Sequence, residues 1–169
     1  MNSTKKLTLA SMLLAIGIIL PQAFHSIPNA GIIFLPMHIP VLICGYICGP
    51  FFGILVGIIT PIISNIIFGM PVTSMLGQMC IELGMYGLSS GILNNILKIK
   101  NEIVKNYIVL IVSMIIGRVV YGICNALILK AGNYSLEIWL TSAFISALPG
   151  IIIQIVFIPV LVKNIKKIL

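Results

Sequence analysis

Long apolar runs, broken by short polar or proline-bearing segments, dominate the chain. The first covers about residues 6–24 and the second about 32–48, with Pro36 and Pro40 inside it. The third covers 50–68, opened by Pro50 and carrying Pro61. A turn at 69–71 leads to a fourth run over about 72–97. A lysine-rich loop at 98–105 precedes a fifth over about 106–129, and a loop at 130–137 precedes a sixth over about 138–162. A bilayer-crossing helix needs about 20 mostly apolar residues, and each run is of that order. The pattern predicts an all-α membrane protein, a compact bundle of six transmembrane helices forming one domain over residues 1–169.

Composition removes the soluble alternative. Of 169 residues 60% are apolar and 8% charged, against about 25% charged in an average soluble domain. A globule this small leaves too much surface exposed to hide that hydrocarbon from water. Once six spans are placed, no large catalytic domain fits. The net charge of +7 is a topology signal and not a nucleic-acid footprint. Outside the spans, two basic residues lie at the N-terminus, three in the 98–105 loop and three at the C-terminus, against Lys130 alone on the other side. Basic residues favour the cytoplasmic side, so both termini are expected there, with anionic lipid as their contact. Lys5 and Lys6 followed by an apolar run also resemble a signal peptide, but Pro21, Gln22 and His25 stand where small cleavage-site residues belong. The run is read as the first span. Cys44, Cys48, Cys80 and Cys124 all fall in apolar runs with no metal-ligand spacing, so they are read as packing residues and no metal is expected.

Small residues recur at helical spacing. Gly45, Gly49, Gly53 and Gly57 are four apart, and Gly87 and Gly91 repeat the interval. Such faces let helices approach closely in lipid, here as a tight hairpin broken at Pro50. Ser11 and Ala15 form a similar pair on the first span.

Ionisable side chains inside spans carry most of the functional signal. Burying one at a helix centre costs at least about 2.5–3.5 kcal/mol, so it persists when paired, hydrated or bound to something. Glu82 and Arg118 both lie roughly 15–18 Å below the outer surface at 1.5 Å per residue, and on neighbouring helices they can meet. Gln78, Glu82 and Tyr86 share one helical face; Arg118, Tyr121, Gly122 and Asn125 share another. Two polar faces at matching depth make a pocket for a small polar molecule with a flat or apolar part. Tyr121 or Tyr86 would stack, Asn125 and Gln78 would donate and accept, and Arg118 would meet an anion. His38, between Pro36 and Pro40, is either a structural histidine or part of binding or gating. Asn65, with Ser64, is placed to satisfy backbone freed by Pro61, and Gln154 reads as structural. No phosphate loop, nucleophile elbow, zinc motif or carboxylate pair is present, so the chain is read as a non-enzyme without a cofactor.

The stretch F-L-P-M-H-I-P-V-L-I-C-G-Y-I-C-G-P-F-F-G-I-L-V-G-I-I-T-P-I-I-S at 34–64 resembles the substrate-binding S components of energy-coupling factor (ECF) transporters. So do G-M-P at 69–71, I-E-L-G-M-Y-G-L-S-S-G at 81–91 and G-R-V-V-Y-G-I-C-N-A-L at 117–127. The resemblance covers nearly the whole chain. It implies a subunit of an ABC-type importer that binds a B vitamin or related micronutrient near the outer face of a prokaryotic plasma membrane. It also implies a membrane T component and two cytoplasmic ATPases as partners, with Ser11 and Ala15 at the position of a family A-x-x-x-A motif that docks the T component. Family pockets draw on the loop after the first span, here 21–31 as an outer gate, and on spans four to six. Arg118 suits a pantothenate-like ligand; Glu82, if free of Arg118, suits a pyridoxine-like, pterin or deazapurine-like one. The rival readings are a self-sufficient ion-coupled carrier acting as a dimer and a non-transporting scaffold.

Overall fold

Prolines and glycines set where the helices begin and end. A computed structural model of the chain describes residues 1–24, 26–27, 30–129 and 135–168. Helix α1 (Ser3–Ile19) tightens into a 3-10 turn at Leu20–Phe24. The short α2 (Ala30–Phe34) stops at Leu35, whose φ of 51° ends the helix just before Pro36. Helix α3 (His38–Cys48) ends at Gly49, φ 98°, a conformation that glycine reaches without a Cβ clash. Pro50 then opens α4 (Pro50–Phe68) at a position whose N–H would be unused anyway. Gly69, left-handed at φ 69°, closes it. Helix α5 (Thr73–Ile96) follows. Asn101 caps α6 (Glu102–Cys124), its side chain accepting from the backbone N–H groups of Ile103 at 3.0 Å and Val104 at 3.3 Å.

The last third differs from the sequence expectation. The fifth run ends in a π-helical turn, Asn125–Leu129. The sixth divides into α7 (Leu136–Leu140), a π-helical turn (Thr141–Ile145) and α8 (Leu148–Ile168). The expected span over 138–162 is therefore two pieces, and the long one begins ten residues later than expected and runs on through the lysines. Pro149 explains the restart, since proline suits a helix's first turn. Within the expected gate at 21–31, His25, Pro28 and Asn29 lie outside the described residues, as do residues 130–134 with Lys130.

Among the described residues, five stretches are long and apolar enough to cross a membrane: Ser3–Phe24, Ala30–Cys48, Pro50–Phe68, Glu102–Leu127 and Leu148–Lys167. The chain is a multi-pass membrane protein. Helix α5, the expected fourth span, is 24 residues long and is not among the five. Its position accounts for this. It packs against α3, α4 and α6, so much of its surface meets protein and can be small or polar: Gln78, Ser89 and Ser90 are all buried.

Close backbone contact holds α5 in place. A methyl group at Gly53 or Gly87 would overlap the other's backbone; one at Gly45 would meet the Gly87 carbonyl, and one at Gly57 the Leu83 carbonyl. The glycine faces are thus spent on internal packing. The aliphatic core around them includes Val41, Leu42, Leu83, Val109 and Val162. At one end of the bundle Lys166 ties three helices. Its ammonium lies 2.9 Å from Glu102 Oε2 of α6 and 4.9 Å from the Tyr46 ring centre of α3, while the Tyr46 hydroxyl donates to Asn106 Oδ1. Asn65 bridges elsewhere than expected. Its Nδ2 donates to the Pro71 carbonyl at 2.6 Å, closing the α4–α5 turn rather than serving Pro61.

Candidate functional site

Helix α3 starts with a histidine because Leu35 and Pro36 force a new helix there, and this drives His38 into the bundle, 2% exposed. Its Nε2 lies 3.7 Å from Glu82 Oε1, and its ring is 5.2 Å from that of Tyr86. Glu82 and Tyr86 are one turn apart on α5, so the tyrosine hydroxyl donates to the same Glu82 oxygen at 2.9 Å. Tyr86 is fully enclosed, and Gly117 of α6 makes room for its ring. The partner of Glu82 within ion-pair distance is therefore His38 and not Arg118. The sequence matched Arg118 to Glu82 by depth and left His38 without a partner; the restart of α3 brings His38 to Glu82.

Arg118 is 2% exposed and near enough for its charge to act on Glu82 and Tyr86. Among the described residues its Nε and Nη2 have no hydrogen-bond partner. Its guanidinium carbon sits 5.3 Å from the centre of the Phe144 ring, a cation–π distance. Trp139 Nε1 donates to the Arg118 carbonyl at 3.0 Å, and its ring meets Phe144 edge-on at 5.4 Å. Gly122, one turn beyond Arg118, leaves space for the Trp139 indole. Tyr121 donates to Gln78 Oε1 at 3.4 Å, and Asn125 Nδ2 donates to the Tyr121 carbonyl at 2.8 Å. Asn125 is wholly buried, with its Oδ1 unpartnered among the described residues.

The expected residues thus fall into two adjoining groups: His38 of α3 with Glu82 and Tyr86 of α5, and Gln78 of α5 with Tyr121 of α6 and Asn125 of the turn that follows it. Arg118 lies beside both. Trp139 and Phe144 were not anticipated. The chain's one tryptophan was the available signal, but the apolar run around it hid the break that turns it toward Arg118. Both π-helical turns border the group, one carrying Asn125 and the other Phe144; such turns recur at functional sites. Apolar clefts open beside the site and elsewhere on the bundle. One of about 270 Å³ is lined by Val119, Gly122, Ile123, Ala126, Leu136 and Trp139. The other, about 360 Å³, lies between α1, α3 and α8. Ser11 and Ala15 lie exposed on α1, away from the face that packs through Ala10, Leu13 and Gly17.

A family profile described as "ECF transporter, substrate-specific component" matches residues 5–162. The chain belongs to that family. Comparison with curated proteins and with solved structures found no match. The S component is accordingly a substrate-specific membrane subunit for uptake, in a family of transporter components rather than enzymes, whose members work on small molecules with T and ATPase partners. A desolvated guanidinium offers a fixed fork of donors that suits a carboxylate or ring carbonyl. The neighbouring aromatic pair and the apolar cleft suit a flat or alkyl portion. Glu82 already accepts from Tyr86 and faces His38, so its capacity for a further donor is reduced.

Proposed function

We propose that this S component captures a vitamin-like small molecule from the outer side of a prokaryotic plasma membrane for ATP-driven uptake. A membrane T component, reached through the Ser11 and Ala15 face, and two cytoplasmic ATPases supply the drive. In this reading α5 is a sixth span and both termini are cytoplasmic. Gln78, Glu82, Tyr86, Arg118, Tyr121, Asn125 and His38 form or support the substrate site, with Tyr86 and His38 fixing Glu82.

The observation that carries the substrate reading is Arg118, buried at 2% exposure with two of its donor nitrogens, Nε and Nη2, unpartnered among the described residues. Leaving charged donors buried and unsatisfied is costly, and an acceptor-bearing ligand removes that cost. This favours a carboxylate such as that of a pantothenate-like molecule over the pyridoxine-like, pterin or deazapurine-like bases that a free Glu82 would suit. The rival reading, an ion-coupled carrier working as a dimer, drew on the glycine faces, and internal packing now occupies those.

Native mass spectrometry of the tagged chain, extracted mildly from its own cells, tests the proposal. T component and ATPases retained, with an acidic small-molecule adduct on the S chain, are the expected result. A bare homodimer without adduct, together with transport in the absence of ATPases, would sink it.

A further inference from the structure

Beneath the Gln78–Tyr121–Asn125 group lies a second set of buried polar atoms that this site does not use. Gln154 of α8 is completely buried, and neither its Oε1 nor its Nε2 has a partner among the described residues. The same holds for the Ser113 hydroxyl of α6 and for His38 Nδ1, while His38 Nε2 faces Glu82 Oε1 at 3.7 Å, beyond hydrogen-bond length. Buried polar side chains are nearly always hydrogen-bonded to protein or water. Gln22, Ser64 and Asn94 carry such atoms on other helical segments, whereas Gln154, Ser113 and His38 stand on α8, α6 and α3, which pack together.

Helix register places them at one level. The Lys166–Glu102 contact aligns α8 against α6. From that contact Ser113 is about 17 Å along α6 and Gln154 about 18 Å along α8, at 1.5 Å per residue. Helix α8 packs on α6 and α3, so a wholly buried α8 side chain faces the space between them. His38 lies on α3 about 12 Å from Tyr46, whose hydroxyl donates to Asn106, and Asn106 is about 10 Å from Ser113 along α6. Tyr86, beside His38, reaches Gly117, one turn from Ser113. Toward the centre Glu82 and Tyr86 of α5 and Arg118 of α6 border the layer.

We infer that Gln154, Ser113 and His38 form an inner polar subsite that holds a neutral group able both to donate and to accept. The chemistry is that of a hydroxyl, an amide or water, because Gln154 presents one donor and one acceptor side and Ser113 can act as either. Two sources supply it: the far end of the substrate whose acceptor end meets Arg118, or ordered water. The first source rests on the substrate reading above; the subsite itself does not.

Gln154→Leu and Ser113→Ala, singly and together, separate the outcomes. The readouts are the small molecule co-purifying with the full chain, quantified by mass spectrometry, and the melting temperature in detergent. Roughly tenfold loss of the co-purifying molecule with the fold retained assigns the group to the substrate. Unchanged retention with a lowered melting temperature assigns it to water. In either case the double variant falls short of the sum of the singles, since both contact one bound group. Unchanged or raised melting temperatures with retention intact overturn the inference. A wild-type chain that carries no molecule and no ATPases would fail the transport reading alone, and the melting series would still decide the subsite.

Discussion

Helix α5 has two unlike sides. Toward α3 and α4, glycine meets glycine, and the side chains of Ser89, Ser90 and Thr60 bond to carbonyls of their own helices. Toward α6, and in the layers where α6 meets α7 and α8, the residues are large and polar or aromatic. Two π-helical turns interrupt the helices there, and the unpartnered atoms of Arg118, Asn125, Ser113 and Gln154 gather on that side. A frame closed by backbone contact, where Ser64 Oγ and Asn94 Oδ1 are also unpartnered among the described residues, supports a region that leaves more hydrogen-bonding capacity for something else. Unsatisfied buried groups are tolerable where a ligand completes them.

The sharpest way to break this comparison is to damage the frame. Gly53→Leu or Gly87→Val drives a side chain into facing backbone, which cannot yield as a flexible side chain would. Overpacking of that kind costs about 3 kcal/mol or more. We expect the monodisperse fraction after detergent extraction to collapse for both, with ligand lost only because the fold is lost. A folded Gly87→Val protein would show that the α4–α5 contact is not the frame.

The opposite signature is expected at Arg118. Arg118→Met removes a buried charge whose Nε and Nη2 have no partner among the described residues, so the melting temperature should hold or rise. Retention of the co-purifying molecule should fall by about 100-fold, equivalent to about 2.7 kcal/mol, in the range for truncating a buried charge partner. Arg118→Lys keeps the charge but not the planar fork and should restore only part. Equal losses of stability and retention would place Arg118 in the frame instead.

Tyr86→Phe sits between the two sides. It deletes the hydroxyl that donates to Glu82 at 2.9 Å and leaves the ring against His38 and Gly117. Leaving that buried carboxylate with one partner fewer should lower stability by about 1–3 kcal/mol, with less than a threefold change in retention. A larger loss of retention than of stability, read in the same detergent sample, would move Tyr86 from support to direct contact.

The sequence made much of the frame legible and less of the site. Apolar runs located the long helices, Pro50 and Gly49 placed the α3–α4 turn, and the glycine interval announced close packing, because each of these is local. Helix α5 was legible as a helix, but its burial among neighbours was not, since that depends on which helices surround it. The partners of Glu82 and Arg118 were ambiguous for the same reason. Several polar residues share a depth, and depth is all that spacing supplies. Pro149 did mark the start of α8, but the apolar residues before it read as continuous span and concealed α7, and with it Trp139 and Phe144.

The smallest effects belong to the bundle end, which tests whether ordinary surface polarity matters to either side. Glu102 and Lys166 pair at 2.9 Å with side chains 61% and 34% exposed. Such a pair contributes about 0–1 kcal/mol, so Glu102→Gln should barely move the melting temperature, and less still in high salt. Lys166→Met should do somewhat more, because it also removes the ammonium from the Tyr46 ring, an interaction of about 0.5–1 kcal/mol when exposed. Neither variant should alter retention, since both lie about 17 Å or more along their helices from Ser113 and Gln154. A clear drop in retention for Lys166→Met, with Glu102→Gln silent, would mean that α8 is held in register through Tyr46, and that its position against α3 sets the site.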